Sequence, residues 1–195
     1  MKNMSDITST VPRALHDDEQ LLRYSRQIML PQIDVAGQER LQTARVLIIG
    51  LGGLGSPVSM YLASSGVGQL ILCDNDQVDL TNLQRQIVHT TERIGMRKVE
   101  SATMHLTAIN PTVQLEMIPQ RLNEADLAKV LARVDVVVDC TDNLSSRFAI
   151  NRACVAAKVP LVSGAAIRWE GQVTVFDPRV ETSPCYHCFY GSVNE

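Results

Sequence analysis

The chain reads as an α/β protein of the Rossmann-like kind: a mostly parallel sheet covered by helices, with an N-terminal helical extension. Three observations predict this. Short apolar runs alternate with longer amphipathic ones, a glycine-rich stretch follows the first apolar run, and polar residues recur just after the runs. Buried parallel strands give continuous apolar runs, and ligands of such sheets bind outside the carboxyl ends of the strands.

In chain order, residues 1–18 lack periodicity and are expected to form a flexible arm, with residues 19–195 as a single domain. A helix is predicted over 19–30, where Leu22, Ile28 and Met29 recur at helical spacing beside Arg23 and Arg26 and Pro31 ends the pattern. Strands are predicted at 46–49, 70–73, 113–118, 134–138, 161–162 and 170–176. Ser56 as N-cap and Pro57 at the first helical position predict a helix running to Gly66. Met96, Val99, Leu106 and Ile109 form one helical stripe, and Leu127, Val130 and Leu131 another.

The chain has 195 residues, 45% of them hydrophobic, enough for a substantial core. Lys and Arg number 18 against 21 Asp and Glu, a formal charge of -3, so the balance does not ask for a nucleic acid or a membrane surface as partner. No apolar stretch approaches a membrane span and the first residues are too polar for a signal peptide, so the expected location is cytoplasmic. Of five cysteines, Cys73, Cys140 and Cys154 lie in or beside apolar segments, where free thiols act as small hydrophobes. Cys185 and Cys188 form a C-x-x-C with the spacing of half a tetrahedral Zn²⁺ site, and His187 between them is expected to point away.

The stretch GLGGLG at 50–55 fits G-x-G-x-x-G, whose backbone, aimed by a following helix, cradles a dinucleotide or another phosphate. Gly50, Gly52, Gly53 and Gly55 are the loop expected against the nucleotide, and Asp74 stands where an acidic residue meets ribose hydroxyls. The run DLTNLQRQ at 79–86 then brings Asn82 and Arg85, and Lys98 opens the following helix. Two cations and an amide exceed what hydride transfer needs and suit a triphosphate that loses pyrophosphate. Ser56, not Lys, follows Gly55, so the Walker pattern is absent. DCTDN at 139–143 closes a strand with two carboxylates; one would hold Mg²⁺, or Asp142 or Asn143 simply caps the next helix. Two other readings stay open: an NAD-dependent oxidoreductase, and a truncated, non-catalytic module that binds nucleotide or a partner.

GLGGLG, NLQRQ, CTDN, RYSRQ at 23–27, AAKVPLVSGAA at 156–166 and CYHC at 185–188 occur in order. Together they resemble the MoeB/ThiF/HesA family, bacterial relatives of ubiquitin-activating enzymes, from about residue 21 to the end. SGAAIRWEGQ resembles MoeB more than ThiF. The resemblance implies ATP-dependent, Mg²⁺-assisted adenylation of the C-terminal glycine of a ubiquitin-like sulfur carrier ending in Gly-Gly, MoaD-like or ThiS-like, for molybdopterin or thiamine synthesis. It implies Asp74 as the ribose ligand, Asn82, Arg85 and Lys98 as the phosphate clamp, and Asp142 as the Mg²⁺ ligand. It also implies Arg26 as an arginine reaching the phosphates of the second subunit of a homodimer, with Arg23, Asp76 and Gln86 as neighbours. Zinc-binding members carry a second C-x-x-C further along than Glu195, so the family's C-terminal part is expected to be missing.

Overall fold

A computed structural model describes residues 18–191; the arm expected at 1–18 lies outside them, except for Asp18, which opens the first helix. The strands are β1 (Arg45–Ile49), β2 (Gln69–Cys73), β3 (Gln114–Ile118), β4 (Val136–Asp139), β5 (Leu161–Ile167) and β6 (Glu170–Phe176). The helices are α1 (Asp18–Arg23), α2 (Ser25–Ile28), α3 (Asp34–Thr43), α4 (Gly55–Ser64), α5 (Lys98–Ile109), α6 (Glu124–Leu131), α7 (Leu144–Ala157) and α8 (Tyr186–Tyr190).

The strands form one sheet in the order β3-β2-β1-β4-β5-β6. All neighbours pair parallel except β5 and β6, a tight antiparallel hairpin in which Ile167 faces Glu170. The central strands are continuously apolar because both faces are covered. On one face Leu47, Ile71 and Val137 pack with Leu127, Leu131, Ile150 and Cys154 from α6 and α7. On the other, Val46, Ile48, Leu70 and Leu72 pack with Ala63, Val99, Ala102 and Leu106 from α4 and α5. Chain order reverses between β1 and β4, so the loops that leave these two strands share a crevice at the carboxyl edge. There Gly50 adopts φ +92, and a Cβ on it would stand 2.8 Å from the Cys140 carbonyl oxygen.

Several sequence expectations are corrected. The helix over 19–30 is two short helices, because Tyr24 breaks the pattern with φ -101 and ψ 9 and turns its ring inward, where it is 2% exposed. The ring lies against Gly66, at which a Cβ would come within 2.5 Å of it. Helix α3 had no counterpart in the apolar pattern, since Val35 and Leu41 are its only large apolar residues and its anchor is polar: Gln38 is fully buried and donates to the Ser65 carbonyl at 3.0 Å. The strand expected at 134–138 starts at Val136, and the one at 161–162 runs on through small residues to Ile167. Ser56 is not an N-cap: α4 begins at Gly55, no side chain caps it, and the Ser56 hydroxyl donates instead to the Leu51 carbonyl at 3.4 Å. Pro57 is therefore the third helical residue.

Asn110, fully buried at the end of α5, ties the N-terminal helices to the sheet layer. Its amide donates to the Tyr24 hydroxyl and to the Ala63 carbonyl, each at 2.8 Å. Asn110→Ala is expected to lower stability by about 2 kcal/mol and Tyr24→Phe by about 1 kcal/mol, since a lost buried partner costs more than a lost bond. Urea unfolding of both variants checks the order.

Candidate functional site

The loop after β1 is built over Leu51, whose side chain is fully buried among the α4 and α5 core residues. Asp74, immediately after β2, accepts the Leu51 N–H on Oδ2 at 2.7 Å and the Asp76 N–H on Oδ1 at 2.8 Å. A carboxylate has about four acceptor positions, so Asp74 keeps capacity for a sugar hydroxyl. Gly52 and Gly53 leave space that other side chains use: Gln86 Nε2 and the Arg85 Cγ and Cδ lie 3.5 Å from Cβ atoms placed at these two positions. Arg85 and Gln86 are thus against the glycine loop, as the 79–86 run suggested.

The cations are held differently from one another. Lys98 opens α5, its side chain only 6% exposed, and Nζ donates to Asp76 Oδ2 at 2.9 Å. Arg85 is exposed and donates to two neutral amide oxygens, Asn82 Oδ1 at 2.9 Å and Gln84 Oε1 at 3.1 Å. Its guanidinium is oriented by Asn82 while its charge meets no carboxylate among these partners. Gln86 Oε1, buried, has no hydrogen-bond partner among the described residues.

Asp139, the last residue of β4, is fully buried and accepts from the Thr141 N–H at 2.9 Å, the Thr141 hydroxyl at 2.7 Å and the Ser163 hydroxyl at 3.3 Å. Burial pushes its pKa above the usual carboxylate value against these hydrogen bonds. Arg147 of α7, also buried, donates to the Thr141 carbonyl and to Ser163 Oγ at 3.5 Å. The capping question is resolved by geometry: Asn143 Oδ1 accepts the Ser146 N–H at 2.9 Å and caps α7. Asp142 is exposed and free of that task, its carboxylate accepting from Asn143 Nδ2 at 3.3 Å.

Arg23 and Arg26 are not brought to this crevice. Arg23 donates to the Ile109 carbonyl at 3.3 Å, at the far end of α5, and pairs with Glu19 at 3.6 Å. Arg26 is two residues from Tyr24, which rests on Gly66 just past the end of α4. The ten residues of α4 rise about 15 Å between the glycine loop and that end. Arg26 is exposed there, beyond easy reach of its own loop.

Cys185 and Cys188 lie 3.5 Å apart, sulfur to sulfur, at the turn that begins α8. Burial raises the Cys185 thiol's pKa, but the Asn151 amide, at 3.5 Å from the sulfur, and the groups around Cys188 outweigh it, leaving it below the ordinary value. Cys140 and Cys154 are raised to about 12 by burial, as inert thiols are. His187 packs its ring on Phe148 with centroids 5.6 Å apart. Among the described residues no group of three or more His, Cys, Asp or Glu is placed to hold a metal, and the cysteine pair stands without further ligands of that kind among them. No helix of the described residues is long and apolar enough to cross a membrane.

Sequence reasoning missed His89, Asp139's hydroxyl partners and Arg147. His89 is buried, bridging the Leu51 carbonyl and Ser101. A lone histidine carries no periodic signal, and Arg147 looks like any charged helical residue until its burial is seen.

Known proteins resemble the chain in sequence and in fold. The chain is 54% identical over 171 residues to the molybdopterin-synthase adenylyltransferase of Escherichia coli K12, covering 88% of this chain and 68% of the relative. It is 48% identical over 174 residues to the sulfur carrier protein ThiS adenylyltransferase of the same organism, covering 89% and 69%. Among solved structures, E. coli MccB with ATP superposes with a TM-score of 0.76 at 29% identity, over 93% of this chain and 55% of that one. The selenomethionine form of PaaA, at 24% identity and a TM-score of 0.78, shares the fold over 97% of this chain and 62% of its own. Residues 24–195, which include every element of the crevice, match the ThiF family, and the chain belongs to that family.

Proposed function

We propose that residues 19–195 form one adenylation domain that uses ATP and Mg²⁺ to activate the C-terminal glycine of a ubiquitin-like sulfur carrier, MoaD-like or ThiS-like, in the cytoplasm. The products are the carrier acyl-adenylate and pyrophosphate, on the way to molybdopterin or thiamine. The observation that supports the reading is Arg85, held by Asn82 and packed against Gly53 of the glycine loop, in a chain whose relatives are adenylyltransferases.

The chemistry asks for no general base. A carboxylate is already a nucleophile, so catalysis reduces to holding it in line with the α-phosphorus and neutralising the charge that departs as pyrophosphate. Gly50, Gly52, Gly53 and Gly55 give the backbone close approach, Asp74 meets the ribose, and Asn82 orients Arg85 toward the phosphates. Lys98, released from Asp76 or shared with it, adds the second positive charge. Exposed Asp142, relieved of capping by Asn143, would hold the Mg²⁺, which supplies further charge neutralisation when bound. Cys185 and Cys188 would contribute one edge of a tetrahedral Zn²⁺ shell.

Arg26 acts across a homodimer in this reading. Its position at the far end of α4 removes it from its own glycine loop, and a C2 partner would place two such arginines at two composite sites. A permanently charged, bidentate donor suits a phosphate site.

Three outcomes are expected. Calorimetry should show ATP binding that strengthens with Mg²⁺ and exceeds NAD binding; tighter NAD binding would restore the oxidoreductase reading. Lys98→Ala and Asp142→Ala should each lower carrier-dependent exchange of pyrophosphate into ATP on the order of a hundredfold with the fold intact. Near-normal exchange in both would remove them from the phosphate site. Arg26→Ala and Lys98→Ala chains, inactive alone, should regain a fraction of activity when mixed and allowed to exchange subunits. Heterodimers without recovery, or a monomer at working concentration, would sink the role across subunits.

A further inference from the structure

The Leu51 peptide is gripped from both sides. Its N–H donates to Asp74 Oδ2 at 2.7 Å, and its carbonyl lies 3.0 Å from His89 Nε2. Ser56 reaches the same carbonyl at the longer distance of 3.4 Å. His89 is 5% exposed, and its Nδ1 lies 2.9 Å from the Ser101 hydroxyl on α5. A carbonyl only accepts, so Nε2 carries the proton, Nδ1 accepts, and the Ser101 hydroxyl donates to it. Burial, joined by the charges of Lys98 and Arg93, lowers the imidazole's pKa, while the Leu51 bond and Asp74 oppose this. The ring is thereby kept neutral: it adds a donor beside a phosphate-binding loop without adding a charge.

Leu51 is flanked by Gly50, at φ +92, and Gly52. Glycines have no side chain by which a loop can be held and the widest backbone freedom of any residue. The shape of the loop therefore depends on what holds the residue between them.

From these contacts we propose that His89 is a positioning residue, which as the neutral Nε2–H tautomer oriented by Ser101 holds the Leu51 carbonyl and so keeps the glycine loop in its nucleotide-binding shape. It acts through Leu51 and does not itself meet the nucleotide. The inference rests on the nucleotide reading of the loop given above.

The test compares the wild-type protein with His89→Leu, which keeps bulk without a donor, and His89→Gln, which places an amide N–H near the position of Nε2. Two readouts are taken: hydrogen exchange of the backbone amides at 50–55 without nucleotide, and calorimetric affinity for ATP with Mg²⁺. His89→Leu should speed exchange of the loop amides about tenfold, leave the β2 amides unchanged, and weaken ATP binding about tenfold, while His89→Gln returns both to within about threefold of wild type. A general structural role would loosen β2 as well and would not be rescued by glutamine. Unchanged loop exchange in His89→Leu, or glutamine behaving as leucine, would overturn the proposal. If His89→Leu does not fold, Ser101→Ala, which removes the donor that fixes the tautomer, should show the same pattern about threefold, and no change in it overturns the proposal. A wild-type protein that binds no ATP defeats the nucleotide reading instead, and the exchange data still decide whether His89 holds the loop.

Discussion

Everything at the carboxyl edge depends on two backbones touching at the point where the sheet order reverses. A Cβ on Gly55 would stand 1.8 Å from the Gly50 carbonyl oxygen, and one on Gly50 would stand 2.8 Å from that of Cys140. No side chain larger than hydrogen is compatible with the first approach. Because β1, the start of α4 and the end of β4 are fused in this way, the loop after β1 and the loop carrying Asp142 are brought into register as one rim. The charged residues are hung on that rim by separate devices: Asn82 for Arg85, Asp76 for Lys98, and the buried Asp139, Ser163 and Arg147 group behind Asp142.

These devices divide into two electrostatic kinds. Lys98 is buried and paired, so its charge is tolerated by virtue of Asp76, which is itself mostly exposed. Arg85 is exposed and needs no counter-charge, and the amide that orients it leaves its charge unspent. Asp139 lies deeper still, fully buried and surrounded by hydroxyls and a guanidinium, and serves the loop's shape. One rim thus holds ionic groups at graded depth, with the outermost available to a charged ligand.

The mostly parallel sheet and the glycine loop were legible because each depends on a local pattern: a buried run such as Val46 to Ile49, or glycine where no Cβ fits. The placement of Arg85 and Gln86 against the glycine loop was legible because polar side chains at strand ends have few structural reasons to cluster. What escaped depended on contacts between distant segments. Tyr24 breaks a helix because Gly66 and Asn110 receive its ring, and α3 is anchored by a buried glutamine where an apolar stripe was sought. Ser56 followed by proline has the composition of a helix start, yet α4 begins two residues earlier than predicted, at Gly55, where the backbone lies against Gly50. His89 and Arg147 were invisible for the same reason, since their significance is the burial that folding gives them.

The β5–β6 hairpin carries a consequence of another sort. β6 ends the sheet with one side of its backbone unpaired among the described strands, and along it Val173 and Val175 are 74% and 62% exposed, with Trp169 fully exposed at the tip. Between Glu170 and Phe176 no lysine or proline interrupts the strand, the devices by which sheet edges are normally kept from recruiting other chains. Among the described residues that margin is an open edge to which another strand could pair. In concentrated solution, or while newly made chains await their last contacts, the hairpin is where strangers would stack strand on strand, and an acidic replacement at Val173 is the natural gatekeeper.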